Sequence, residues 1–235
     1  MGLTIVNGPA RPGIVFITGT DTGVGKTLLT ALLLHHLRCR GCQALALKPF
    51  CSGDRADVRL LHAVQGGELT LDEINPFYFH EPVAPLVAAR KHRQSVCLRD
   101  VLRRIADVAS RCQRLLIEGS GGVLVPLGEG YTVADLIAKL DCEVLVVSAN
   151  RLGTINHTLL TVQLLQHVGI KKLKVIMMAQ PEPDSSSDSN PLILAELLGQ
   201  VPVLSLGFLG RNPTGFEAIK AREKKFEKTL ARILA

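Results

Sequence analysis

The sequence predicts an α/β fold, a doubly wound and mostly parallel sheet with helices on both faces, on three observations. Short apolar runs of strand length alternate with longer stretches of helical periodicity, the pattern of βαβ units. Hydrophobic residues make up 47% of the 235 residues and aromatic ones only 4%, so Leu, Val, Ile and Ala must build the core, as in a parallel sheet and unlike an all-β sandwich. The length suits one core, and 1–235 is read as a single domain with a Pro- and Gly-bearing leader at 1–13.

Taken in order, the run Ile14 to Ile17 reads as a buried strand closing at Thr18-Gly19, and a helix follows from Lys26 to Arg38. A second strand, Ala44 to Lys48, leads through a polar loop to a helical stretch from Asp57 to Val64. Residues 72–96 carry Asn75, Pro76, Pro82 and Pro85 and are assigned only short pieces of regular structure. Leu98, Val101, Leu102 and Ile105 recur at helical spacing, and Leu115 to Ile117 is the next buried strand, stopping at Glu118-Gly119. A Gly-rich loop follows, then a helix from Val133 to Lys139, a strand from Glu143 to Val147, a helix from Ile155 to Val168 and a strand from Leu173 to Met178. The tract 181–190, with four serines and three acidic residues, reads as a flexible surface loop. In the tail, Phe216, Ile219, Phe226, Leu230 and Ile233 fall at helical spacing among Lys and Arg, which predicts a helix packed on the sheet rather than one lying on a membrane. In such a sheet, ligands gather beyond the C-terminal strand ends.

The formal charge is +6, and much of the excess lies in Arg90, Lys91, Arg93, Arg99, Arg103, Arg104, Arg111 and Arg114. No aromatic residues are interleaved there to stack bases, so the stretch reads as a solvated face and no nucleic-acid partner is expected. Of the six cysteines only Cys39 and Cys42 form a C-x-x-C pair, which lacks partners for zinc and follows a helix instead of opening one; reduced structural thiols are expected. No apolar run has spanning length, so no membrane association and a cytoplasmic location are expected.

The chemistry is carried by Gly19, Thr20, Asp21, Thr22, Gly23, Val24, Gly25, Lys26 and Thr27, set between a buried strand and a helix. In such a phosphate loop the backbone N–H groups wrap a β-phosphate, the lysine reaches the β and γ oxygens, and the following hydroxyl binds Mg²⁺. The fold is therefore read as P-loop NTPase-like. Glu118, at the end of another buried strand, stands where an acid reaches the metal. Lys48, also at a strand end, is a candidate to neutralise a transferring phosphoryl group, acting in the transition state with little weight in fold stability.

At these residues the chain resembles the dethiobiotin synthetase family. GTDTGVGKT resembles its phosphate loop, KPFCSG its K-P-x-x-S-G segment, EGSGGVLVPL its E-G-A-G-G segment and RLGTINHTLLT its L-G-x-I-N-H helix start; NPFYFHEPVAPLVAA resembles a further family loop. The resemblance implies ATP-dependent carboxylation of 7,8-diaminononanoate by CO₂ and ring closure to dethiobiotin, with ATP as co-substrate and Mg²⁺ as cofactor. It implies that Lys26 and Lys48 stabilise phosphate and carbamate charge, that Thr22 and Ser52 hydrogen-bond the carbamate, and that Thr27, Asp57 and Glu118 hold Mg²⁺. Gly121 belongs to the substrate side with Lys48 and Ser52. Gly153, Thr154 and Asn156 open a helix whose free N–H groups suit the substrate carboxylate, and in the family that helix comes from the partner of a homodimer. The base-reading Asn of the family appears as Gln180, and its L-G-E-I-P segment survives only as Leu206-Gly207-Phe208-Leu209-Gly210, which leaves Gly207 as the matching position. Two other readings stand beside this one. A related amide-forming ligase would carry a glutaminase domain for which the chain has no room, and a partition or cell-division switch ATPase would carry a second lysine where Thr20 and Asp21 stand.

Overall fold

The computed structural model describes residues 12–210 and 215–235, so most of the 1–13 leader lies outside the described residues. From the amino end the elements are β1 (Gly13–Gly19), α1 (Lys26–Cys39), β2 (Ala44–Leu47), β3 (Phe50–Ser52), α2 (Ala56–Val64), α3 (Leu71–Ile74), β4 (Phe77–Phe79), α4 (Pro85–Lys91) and α5 (Leu98–Ala109). There follow β5 (Arg114–Gly122), β6 (Pro126–Gly128), β7 (Tyr131–Thr132), α6 (Val133–Ala138), β8 (Cys142–Asn150), α7 (Thr154–His167), β9 (Leu173–Ala179), α8 (Asn190–Leu198), β10 (Val203–Leu206) and α9 (Phe216–Leu234).

Six of the strands form one sheet in the order β10-β9-β8-β1-β5-β2, and every neighbouring pair is parallel. The central strands are apolar throughout because both faces are covered: Val15, Phe16, Ile17, Leu115, Leu116, Ile117, Val144 and Leu145 are all buried. The buried apolar side chains join in one cluster. β5 lies between β1 and β2, so the chain crosses from β1 to the sheet edge before returning, and the strand ends around β1 become the cleft of a doubly wound sheet.

Local chemistry sets the ends of these elements. Helix α1 stops in a Schellman turn: Gly41, at φ 75°, donates to Arg38 O, and Cys42 N donates to Leu37 O at 3.1 Å. Thr132 and Asp135 form a reciprocal capping box at the start of α6, as Thr70 and Glu73 do for α3, each cap contributing about 1 kcal/mol. In α9, Ile219, Leu230 and Ile233 are buried as the spacing predicts, but the helix packs chiefly on α1 and only marginally on the sheet, at β10. Among the described residues no helix is long and apolar enough to cross a membrane. Arg99, Arg103 and Arg104 of α5 are exposed, in agreement with a solvated face.

The structure departs from the sequence reading in three places. Strand β5 runs on through the glycines to Gly122 instead of stopping at Gly119, since Gly19 still pairs with Gly122 after a register shift. The Gly-rich stretch holds the small antiparallel pair β6 and β7. Helix α8 and strand β10 have no counterpart among the expected elements. The 181–190 tract is a surface loop up to Ser189; Asp184 accepts from Ser186 N at 2.9 Å and from Leu152 N at 2.7 Å.

Candidate functional site

The loop from Gly19 to Thr27 joins β1 to α1, and its form follows from its glycines. Gly25 has φ 105°, a left-handed conformation, and a methyl group there would come 3.0 Å from Met178 Cε; both facts call for glycine. No side chain caps α1, so its first N–H groups face the loop and suit an anion. Thr20 N donates to Val147 O, which ties the loop to β8.

Four side chains converge beside this loop. Glu118, midway along β5, is 1% exposed, and its Oε1 accepts from Thr27 Oγ1 and from Lys48 Nζ, each at 2.7 Å. Lys48, just past β2, also pairs with Asp57 Oδ2 from the first turn of α2. Adjacent parallel strands deliver Lys48 and Glu118 to the same end, so the contact follows from the strand order. Lys26 Nζ donates to Asp21 O at 2.7 Å within its own loop. Burial works against the charge of Lys48, but Glu118 and Asp57 outweigh it and hold the ammonium above the ordinary lysine range. Lys26 differs: burial pushes its ammonium down to about 8 against the attraction of Glu118, with Lys48 adding repulsion.

This geometry argues against the expectation that Lys48 carries little stability. It is buried and neutralises a buried carboxylate, so removing it strands a charge, at a cost of about 3–5 kcal/mol.

A cavity of about 710 Å³ opens over these groups. Of the expected site residues, Thr22, Gly23, Gly25, Lys26, Thr27, Lys48, Ser52, Asp57, Glu118 and Gly121 line it. Gly19, Thr20, Asp21 and Val24 shape the loop without lining the cavity. Sequence reasoning assigned no role to Cys51, Asp54, Ser120, Val125 or the run Pro82 to Pro85, which complete the wall. The two prolines and the small apolar residues between them were the available signal, since such a run makes a stiff wall with few polar atoms. Burial pushes the Cys51 thiol up, which leaves it a wall group rather than a nucleophile.

Two buried polar atoms here have no partner, Ser52 Oγ and Glu118 Oε2. Orphaned acceptors and donors are costly, so they mark places where a ligand completes the bonding. The donor set of Thr27, Asp57 and Glu118 is all oxygen, which fits Mg²⁺ completing its shell with phosphate oxygens. Among the described residues no group of three or more His, Cys, Asp or Glu side chains is placed to cage a metal by itself.

Gly153, Thr154 and Asn156 do not line this cavity. Gly153 is the residue before α7, at φ 90°, and no side chain caps the helix. The Thr154 hydroxyl turns inward to Ser148 Oγ at 2.5 Å, so only its backbone is available to a ligand. Asn156 is exposed. Gln180, at the end of β9, donates from Nε2 to Met178 O at 2.8 Å; Gly207 is exposed just past β10. Neither lines the cavity.

A family model described as an AAA domain matches residues 14–207. An ATP-dependent dethiobiotin synthetase BioD from Bacillus velezensis is 38% identical over 197 residues, covering 81% of this chain and 84% of that relative. One of the same name from Anaeromyxobacter sp. (strain Fw109-5) is 40% identical over 197 residues, covering 82% of this chain and 88% of its own. Among solved structures, a ParA family ATPase from Chlorobium tepidum TLS superposes with a TM-score of 0.58 at 14% identity, over 94% of this chain and 97% of that one. At that identity the likeness speaks for the fold alone.

Proposed function

Since the chain belongs to the ATP-dependent dethiobiotin synthetase family of biotin biosynthesis, we propose that its cavity carboxylates 7,8-diaminononanoate with CO₂ and closes the ring to dethiobiotin, converting ATP to ADP and phosphate. The observation that carries this reading is the buried Lys48–Glu118 pair, joined by the half-buried Thr27 hydroxyl, set at the phosphate loop on the wall of one cavity.

One amine of the substrate takes up CO₂ as a carbamate, a carbamate oxygen attacks the γ-phosphorus with loss of ADP, and the second amine attacks the activated carbon and expels phosphate. The protein's part is positioning and electrostatics. N–H groups from Gly23 to Thr27 hold the phosphates, and Lys26 turns from its own loop to their oxygens. Lys48, kept charged by its carboxylate neighbours, stabilises the charge that builds on the carbamate and phosphoryl oxygens. Ser52 Oγ, buried without a partner, and the Thr22 hydroxyl bond the carbamate. Mg²⁺, held by Thr27, Asp57 and Glu118, would neutralise phosphate charge when bound. The run Pro82, Val83, Ala84 and Pro85 gives the alkyl chain an apolar wall. Gln180 and Gly207 lie on the base side of the nucleotide.

The active form is a homodimer in this reading. Leu152 and Leu160 beside and on α7, and Leu192 and Leu197 on α8, are 82%, 59%, 72% and 56% exposed, an unusual number of bare leucines on one packed helix pair. A second copy covering them brings the uncapped start of α7, with Gly153, Thr154 and Asn156, to the partner's cavity, where its N–H groups meet the substrate carboxylate. The location is cytoplasmic, and neither nucleic acid nor membrane is a partner.

The test is phosphate release from ATP with and without diaminononanoate and bicarbonate. Release that requires both supports the reading. Equal turnover without the diamine refutes it and favours a switch ATPase of the partition type.

A further inference from the structure

Helix α9 bridges segment 207–210 and the C-terminal end of α1 through two different faces. Residues four apart lie on one helical face, and residues one apart do not. On one face Arg222 donates from Nε to Leu209 O and from Nη1 to Ala218 O at 2.9 Å, while Phe226 packs on Gly207, where a methyl group would come 3.0 Å from the ring. On the next face Glu223 Oε1 lies 2.8 Å from His36 Nδ1 and 3.2 Å from Arg40 Nη1, and Glu227 Oε1 lies 2.5 Å from Arg40 Nη2. His36 is in the last turn of α1 and Arg40 caps that helix, whose opposite end begins at the phosphate loop. A third tie runs from Lys174 Nζ of β9 to Ile233 O at 2.9 Å, and β9 ends one residue before Gln180.

Segment 207–210 has left the sheet, and among the described residues Arg222 supplies its only hydrogen bond. A segment with so little of its own bonding keeps its conformational freedom unless something outside fixes it, and a ligand that orders it loses affinity by that amount. The geometry points to Arg222 as a positioning residue for the nucleotide: it holds the base-side segment 207–210, and α9, anchored on α1 through Glu223 and Glu227, sets that segment against the triphosphate end. This rests on the reading of Gly207 and Gln180 as the base side. Arg222 touches no reacting atom in this scheme; it acts through the segment, with Phe226 as the packing half of the same grip.

The consequence is selective. Tripolyphosphate bears the phosphates of ATP and no base, so its binding depends on the phosphate loop and not on Arg222. Binding of ATP and of tripolyphosphate, both with Mg²⁺, is measured by calorimetry on the full chain and on Arg222→Ala. The expected result is a loss of about tenfold or more for ATP with tripolyphosphate within about twofold of the unsubstituted protein, and partial recovery in Arg222→Lys, which keeps one donor. Gly207→Ala, which pushes on Phe226 from the segment's side, is the second variant and gives the same ATP-selective loss should Arg222→Ala not fold. Equal losses for both ligands would mean that Arg222 only props the fold, and no loss for either that the segment needs no strap; both overturn the inference. If the unsubstituted protein binds ATP no more tightly than tripolyphosphate, the base-side reading itself is wrong and the inference goes with it.

Discussion

Replacing Lys48 with methionine keeps most of the unbranched side chain and removes the ammonium, which isolates what that charge does. In the native protein it faces Glu118, whose side chain is 0% exposed, and Asp57, whose side chain is 44% exposed. The exposed partner is solvated and loses about 1 kcal/mol at most. Glu118 keeps only the Thr27 hydroxyl on Oε1, with Oε2 already unpartnered, so its charge is stranded in the interior. A buried pair broken on one side costs about 3–5 kcal/mol. For a domain of this size that corresponds to a fall in Tm of roughly 6–20 °C. Urea unfolding of Lys48→Met, Glu118→Gln and the double variant forms a cycle. The double variant should recover most of the loss, with a coupling on the order of 3 kcal/mol, since no unpaired charge remains. Turnover should fall at least about a hundredfold in both variants that lack Lys48, because restored stability does not restore the donor to the developing charge. A Lys48→Met protein that unfolds within about 1 kcal/mol of the native one would refute the reasoning and return Lys48 to the status of a solvated strand-end charge.

Nucleotide discrimination should be weak: the phosphate loop contacts groups that ATP, CTP and GTP share, and Gln180 already spends one amide hydrogen on Met178 O. One missing base contact is worth about 1–3 kcal/mol, so kcat/KM ratios of about tenfold to a hundredfold are expected, and a preference for ATP above about a thousandfold would refute this. Leu160→Glu should convert a dimer to a monomer in sedimentation experiments and abolish turnover; a fully active monomer would show that one chain builds the whole site. Burial pushes the carboxyl of Glu223 up, but the hydrogen bonds from His36 and Arg40 outweigh it and hold it below the usual range. Its contribution is therefore fully present above the unfolded value of about 4.3 and is lost as pH falls through the folded one, so the stability gap between the native protein and Glu223→Gln should narrow in acid. Thiol labelling followed by mass spectrometry should find Cys39 and Cys97, both exposed, modified first. Burial pushes the Cys142 thiol up to about 12 and that of Cys112 to about 11, so fast labelling of either in the folded protein would contradict the packing around them.

What the sequence made legible were signals carried by a few consecutive residues. A strand run closing on Gly-x-x-x-x-x-Gly-Lys-Thr and another closing on Lys48 each mark a strand end, and the apolar run reaching Glu118 marks the neighbouring strand β5, although that strand continues to Gly122. What they do to one another was not legible. Lys48 and Glu118 are 70 residues apart and meet because β2 pairs with β5, a neighbour that chain order does not announce. A strand-end lysine is solvated unless a buried acid stands beside it, and the acid beside Lys48 cannot be read from its local run.

Helix α8 escaped notice for a different reason, and the reason bears on assembly. Helices are recognised by an apolar stripe set against a polar face. In α8, Leu194 is buried, yet Leu192, Ile193 and Leu197 on other sides are exposed, so the segment shows no polar face to read, and its Asn190-Pro191 start merges with the serine-rich tract. Strand β10 compounds this, a half-buried edge strand of four residues preceded by Pro202. A helix without a polar face is out of place on a lone chain and at home between two packed surfaces. The feature that hid α8 from the periodicity is therefore the same one that argues for a covering partner, and Leu160 on α7, which packs against α8, extends that bare surface toward the helix start at Gly153. A second copy seated there would turn the bare apolar face of α8 into an interior.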